Sequence, residues 1–241
     1  MNFYESIATN YDHIFPLKQP QFNFVSSEFS SAINTILDVG CSTGSLAIKL
    51  AENDQNVFGI DLDQKMIHLA HEKAKNLNNL ISFDPHNMTE LQQHYPNNNF
   101  DIITCFGNTI VHLLSDKEIL NLFIQIKSLL KENGKFLFQI LNYDHIVKNK
   151  ITKLPLIENQ HIKFDRIYNF TNSQIIDFTT TLLIKETNQT IKNTTPLYAI
   201  QLDNLKKLLS KANFKKIELF ENFTKTPFNK KTSLRTIAIC Q

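Results

Sequence analysis

Between residues 35 and 141, short apolar runs alternate with amphipathic helical segments, and this alternation limits the fold more than any other feature. Residues 35–39, 56–60, 80–83, 100–106 and 135–141 read as strands. They are near-continuous apolar runs, as expected of strands covered on both faces. Residues 45–52 and 64–75, a stretch reaching His94, and residues 116–130 carry helical spacing. The last of these puts Ile119, Leu120, Phe123, Ile126, Leu129 and Leu130 on one stripe. Residues 131–134 read as a helix-ending turn with Gly134 at the cap. Strands alternating with helices imply parallel strands joined by crossover helices, an α/β doubly wound sheet.

The pattern changes after residue 145. Residues 161–170, 173–185 and 189–200 are rich in Ile, Thr, Phe and Tyr and are separated by polar turns, which predicts an inserted antiparallel β meander of three strands. Residues 203–212 return to helical spacing, and 216–223 and 233–240 read as two closing strands, antiparallel to each other. The chain is thus expected to be one domain over 1–241. Its parts are an N-terminal segment (1–30), a core (31–145), the meander (146–200) and a C-terminal helix with the closing strands (201–241).

Hydrophobic residues at 42% and charged residues at 20% are globular proportions and exclude wholesale disorder or a coiled coil. The net charge is only +2, from 25 basic and 23 acidic residues, so no basic excess points to nucleic acid. Only two arginines are present, Arg166 and Arg235, so bidentate recognition of an anion is confined to two places. Cys41, Cys105 and Cys240 lie far apart without zinc spacing, and no metal site is expected. They read as buried, reduced thiols. The N-terminus lacks the apolar core of a signal peptide, and no apolar run approaches the ~18 residues of a membrane helix. A cytoplasmic protein is expected.

The chemistry is concentrated after the first two strands. In Asp38-Val39-Gly40-Cys41-Ser42-Thr43-Gly44, Gly40 lets the chain turn sharply off the strand, and Gly44 lets the backbone approach a ligand closely. Asp61, 23 residues beyond Asp38, ends the second strand, where an acid accepts hydrogen bonds from ribose hydroxyls. An adenosine compound bound across the strand ends follows. The Gly40-x-x-x-Gly44 spacing differs from the G-x-G-x-x-G of dinucleotide sites. A carboxylate at Asp38 suits an ammonium or sulfonium, not a pyrophosphate.

These residues resemble the first motif of class I S-adenosylmethionine-dependent methyltransferases, with Ser42 in place of the middle glycine. Gly59-Ile60-Asp61-Leu62-Asp63 resembles the second motif, and residues 84–88 fall where the family recognises adenine. The likeness covers about residues 30–145 and 200–241 and includes the closing antiparallel strand. It implies a Rossmann-like sheet, mostly parallel, with S-adenosyl-L-methionine as methyl donor and S-adenosyl-L-homocysteine as product. It also implies cofactor contacts from Asp38, Gly40, Cys41, Ser42, Gly44, Asp61, Leu62, Met66, Asn87, Met88, Cys105 and Phe106. The family's N-terminal helices often fold over the cofactor as a lid, which brings in Tyr4 and Tyr11.

A narrower likeness links residues 105–113 and 141–146 to glycine and sarcosine N-methyltransferases, although Leu141 stands where those enzymes have arginine. It implies a small-molecule acceptor, an amine or amino acid, methylated by in-line transfer. His112, Asn142 and Tyr11 become the candidate catalytic residues, and Asn108, Tyr143 and Arg166 the candidate acceptor contacts. Two alternatives stay open, a non-catalytic protein that binds the same cofactor and a nucleic-acid methyltransferase. Residues 106–109, Phe-Gly-Asn-Thr, lack the N/D-P-P-Y/F motif expected of the latter.

Overall fold

The computed structural model describes residues 3–77, 80–95, 100–172 and 174–241, with Phe3 and Tyr4 described by backbone alone. The Tyr4 side chain and Ser173, the expected first residue of a meander strand, therefore lie outside the described residues. Helices α1 (Phe3–Ile7), α2 (Tyr11–Ile14) and α3 (Gln19–Ser26) precede the sheet. Next come β1 (Thr35–Val39), α4 (Ser45–Ala51), β2 (Asn56–Ile60), α5 (Gln64–Ala74), β3 (Ile81–Asp84) and α6 (Leu91–His94). They are followed by β4 (Phe100–Cys105), α7 (Asp116–Leu129), β5 (Leu130–Leu141) and α8 (Tyr143–Lys148). The strands β6 (Ile157–Glu158), β7 (Ile162–Phe170), β8 (Ile175–Ile184) and β9 (Gln189–Tyr198) form the insertion, and α9 (Leu202–Lys211), β10 (Ile217–Phe220) and β11 (Arg235–Cys240) close the chain.

The main sheet has the order β10-β11-β5-β4-β1-β2-β3. β1 to β5 run parallel, and β11 is antiparallel to both β5 and β10. Because side chains alternate along a strand, neighbouring residues enter different cores. Ile36, Val57, Ile102 and Leu137 join Phe24, Leu50 and Ala70 from α3, α4 and α5. Leu37, Ile103, Phe136 and Phe138 join Phe123 from α7 and Leu209 from α9. This double coverage is what the unbroken apolar runs required.

Two expectations are corrected. The second sheet has four strands, β6-β7-β8-β9, and not three. β6 has only two residues, too few to show a period in the sequence. Gly134 does not cap α7, which ends when Leu130 turns extended (ψ 140°). Gly134 lies instead in the irregular start of β5, where the register to β4 shifts between Phe100 and Ile102. A β-carbon at Gly134 would stand 2.9 Å from the Phe100 carbonyl oxygen, so close approach of two strands explains the glycine.

A third cluster joins the N-terminal helices to the insertion. Ile7, Ala8 and Ile14 bury themselves with Met66 of α5 and with Ile162, Phe164 and Leu182 of the second sheet. Phe15 meets Phe164 edge-on at 5.9 Å, and His13 stacks on His161 at 4.0 Å. No helix among the described residues is long and apolar enough to cross a membrane.

Candidate active site

Most of the expected site residues lie beyond the carboxyl ends of β1 to β5, the end at which an open α/β sheet binds its ligands. Gly40 and Gly44 have φ of +74° and +75°, and Ser42 between them has +51°. The loop is therefore left-handed at three of five positions, two of them glycine. Ile60 fastens its start, its carbonyl accepting from the Gly40 and Cys41 amides at 2.8 and 2.9 Å.

Asp61 holds this loop with its own carboxylate. Oδ2 accepts from the Ser42 amide at 2.9 Å and Oδ1 from the Asp63 amide at 3.0 Å. The Leu62 backbone amide also hydrogen-bonds this carboxylate, so of its roughly four acceptor sites at least one is left for a hydroxyl donor. Asp38 is buried, and its Oδ1 accepts from Thr104 Oγ1 at 2.6 Å across the β1–β4 register. Burial pushes the Asp38 carboxyl up to about 6, the Thr104 hydrogen bond opposes this, and the charge of Asp61 adds to it. Burial likewise raises Asp61 above the usual carboxylate range. Among the described residues no ion pair neutralises either acid. Two close carboxylates without a cation, beside a left-handed loop, fit a ligand that carries positive charge and vicinal hydroxyls. S-adenosylmethionine has both, and Asp38, Asp61 and residues 40–44 would hold it.

Tyr11 reaches the same place from α2. Its side chain is hydrogen-bonded to Ser42, and burial, with Asp61, Asp12 and Asp38 nearby, pushes its hydroxyl up to about 12. Cys41 and Cys105 are buried, and their thiols are raised by burial and by the charges of Asp38 and Asp61. Leu62 is 64% exposed beside Asp61. Asn87 begins the short turn Met88–Glu90, its Oδ1 accepting from the Thr89 amide at 3.0 Å, while Met88 packs on the main core. Four residues expected near the cofactor, Cys41, Met66, Cys105 and Phe106, belong to buried clusters. Met66 is fully buried under the N-terminal helices, and Phe106 packs against Phe24 and Phe223.

A second group forms beyond the ends of β4 and β5. Asn108 has a left-handed φ of +69°, donates from Nδ2 to Tyr143 Oη at 3.0 Å, and accepts the Leu141 amide on Oδ1 at 2.9 Å. Tyr143 is hydrogen-bonded in turn to Tyr168 of β7, whose hydroxyl is pushed up to about 12 mainly by burial. Arg166 is two residues away and so faces the same side of β7 as the buried Phe164 and Tyr168. Its Nη2 donates to the Pro155 carbonyl at 2.6 Å, and its Nε is buried without a hydrogen-bond partner among the described residues. His112 ends the turn Thr109–His112, and burial lowers its pKa to about 4.

Asn142 occupies the end of β5, but its polar atoms serve the fold. Nδ2 donates to the Lys230 and Ser233 carbonyls at 3.0 and 2.8 Å, and Oδ1 accepts the His145 amide at 3.3 Å to cap α8. Sequence reasoning passed over Thr104, Asp12, Lys73 and Tyr168. Only Tyr168 carried a signal, since it repeats Arg166 at the strand period of two.

A family model described as a methyltransferase domain matches residues 36–134. The chain is 31% identical over 195 residues to a protein of Geobacillus sp. (strain WCH70) named as a methyltransferase, covering 78% of this chain and 77% of that one. It is 29% identical over 153 residues to the glycine N-methyltransferase of Homo sapiens, covering 58% of this chain and 51% of the relative. The solved CcbJ methyltransferase of Streptomyces caelestis shares the fold, with a TM-score of 0.84 at 20% identity over 99% of this chain and 97% of that one. Since the Geobacillus likeness extends well beyond the cofactor half, the chain belongs as a whole to the class I S-adenosylmethionine-dependent methyltransferases.

Proposed function

We propose that the enzyme methylates the nitrogen of a small amine that also carries an anionic group, such as an amino acid. The observation that carries this reading is Arg166, on the inner face of β7 between Phe164 and Tyr168, with a buried Nε that has no hydrogen-bond partner among the described residues. A guanidinium taken from water toward an apolar sheet calls for an anion. The register sets it opposite the buried Thr180 on β8, and Thr180 opposite Asn193 on β9. A polar row therefore crosses the inner face of the second sheet. The glycine N-methyltransferase relative is named for an acceptor of this class.

When bound, S-adenosylmethionine supplies a methyl group already activated on a sulfonium sulfur. The chain has then to align the acceptor and exclude water. Tyr11 and the second sheet do the excluding, while Arg166 with the Asn108–Tyr143–Tyr168 chain does the aligning. His112 is neutral at pH 7 and too weak a base to hold the amine's proton there, so the amine enters as its neutral form. Three buried free thiols fit a reducing compartment such as the cytoplasm.

The test pairs small amines bearing a carboxylate or phosphate with neutral amines of the same shape, following release of S-adenosylhomocysteine. Turnover is expected with an anionic amine, and Arg166→Met should raise its KM about 10-fold or more, the value of a charge-assisted pair. Asp61→Ala should abolish S-adenosylhomocysteine binding in calorimetry. Turnover confined to neutral acceptors, or an Arg166→Met enzyme with unchanged KM, would remove the anionic acceptor from the reading.

A further inference from the structure

The N-terminal helices are fastened to the cofactor half by a polar cluster as well as by apolar packing. Asp12 follows Tyr11 on α2, and its carboxylate gathers donors from two distant elements. Oδ1 accepts from Thr43 Oγ1 at 2.7 Å and from Ser45 Oγ at 3.0 Å, and Oδ2 accepts from Lys73 Nζ at 2.8 Å. Lys73, on α5, closes the ring by donating to the same Thr43 and Ser45 hydroxyls at 3.0 and 2.8 Å. Four side chains thus satisfy one another across the seam between lid and loop. Burial acts to raise the Asp12 carboxyl, but the Lys73 and Thr43 hydrogen bonds outweigh it and hold the group below its usual range.

The position of the cluster matters more than its strength. Thr43 sits between Ser42 and Gly44, inside the left-handed loop, and Ser45 is the first residue of α4. Asp12 is one residue from Tyr11, which is hydrogen-bonded to Ser42 and lies near Asp38 and Asp61. The same cluster therefore fixes the loop from behind and seats Tyr11 in front of it. Elsewhere the lid is tied to the second sheet, where Asn159 Nδ2 donates to the His13 carbonyl at 2.8 Å and Asn193 Nδ2 to Ser6 Oγ at 3.3 Å.

We infer that Asp12 is a positioning residue, which with Lys73, Thr43 and Ser45 clasps the lid onto the cofactor loop, seats Tyr11, and sets the rate at which the spent nucleoside leaves. It touches neither cofactor nor acceptor in this scheme and acts through Tyr11 and the loop. The inference rests on the assignment of the loop to S-adenosylmethionine, and its experiment separates the two.

Amide hydrogen exchange of residues 7–15 is measured on the cofactor-free protein, and dissociation of S-adenosylhomocysteine is measured by stopped-flow displacement. Variants are Asp12→Ala, Asp12→Asn and Lys73→Met. Asp12→Ala should speed exchange of residues 7–15 and nucleoside release about 10-fold or more, the value of losing charge-assisted hydrogen bonds. Exchange of β1 and β4 should stay as in the wild type. Asp12→Asn keeps an oxygen for Thr43 and Ser45 but loses the negative charge and the acceptor that face Lys73, so it should fall between. Raising the salt concentration should shrink the gap between wild type and Asp12→Asn, because the ion pair is partly exposed. Unchanged exchange and unchanged release in Asp12→Ala would overturn the clasp. If wild type fails to bind S-adenosylhomocysteine, the cofactor assignment is lost, yet the exchange measurement still decides whether Asp12 holds the lid. If Asp12→Ala does not fold, Asp12→Asn and Lys73→Met decide by the same two readouts.

Discussion

At Asp38 one carboxyl reports what the cleft must receive. Burial pushes it up to about 6, against an unfolded value of about 3.9. A carboxyl raised on folding keeps its proton longer in the folded state, so unfolding releases protons between these values. The stability of the cofactor-free protein should therefore fall as pH rises from about 4 through 6. About 2 pH units correspond to about 3 kcal/mol withheld at pH 7. Asp38→Asn should recover much of this in the cofactor-free protein. Binding runs the other way, because a cationic ligand needs the charged carboxylate. Affinity for S-adenosylmethionine, the cationic form, should drop about 10-fold for each pH unit below 6 and stay flat from 6.5 to 8, with protons released on binding near pH 6. Calorimetry in two buffers of different ionisation enthalpy measures both quantities. An affinity that is flat from pH 5 to 7, unchanged in Asp38→Asn, would mean that Asp38 does not meet the cation.

Among the elements, β5 and α8 show how a residue at the right place for chemistry can be committed to structure. Asn142 links the two and binds the carbonyls of Lys230 and Ser233 in the loop before β11. Removing it costs a helix cap, about 1 kcal/mol, and leaves buried carbonyls unpaired, about 1–3 kcal/mol more. Asn142→Ala should thus lose about 2–4 kcal/mol in urea unfolding while its affinity for S-adenosylhomocysteine is kept. Full stability with lost turnover would return Asn142 to the catalytic group. The same contrast shows what the sequence can disclose. Asp38, Gly40, Gly44 and Asp61 are legible because each stands at or just past the end of its own strand, within a short motif. The β1–β5 strands are legible because both faces of each are apolar. Thr104 is 66 residues from Asp38 and Lys73 is 61 from Asp12, and nothing local marks either pair. They depend on strand register and helix docking, which emerge only when the whole sheet is assembled. β6 and Gly134 escaped for the same reason, since a two-residue strand and a close strand approach are defined by their partners.

For the molecule as a whole, the question is whether the second sheet is a separate body or part of one cooperative unit. The main core answers through its membership. Tyr168, Ile176, Leu197 and Tyr198 of the second sheet belong to the same buried cluster as Phe138, Ile140 and Tyr143. On the other side, Ile162, Phe164 and Leu182 are tied through Ile7 and Ile14 to Met66 of α5. Any cut between the sheets therefore exposes two apolar faces and breaks the Tyr143–Tyr168 hydrogen bond. Neither half can lose the other without losing core, so one transition is expected in scanning calorimetry, with van't Hoff and calorimetric enthalpies in agreement. Because the ligand binds only the folded state, S-adenosylhomocysteine at 100 times its Kd should add about 2.7 kcal/mol. For a chain of this size that moves the whole transition up by about 5–10 °C. If the second sheet were its own domain, two transitions would appear and only the one carrying the main sheet would follow the ligand. A single peak that moves intact requires that the two sheets unfold as one cooperative unit.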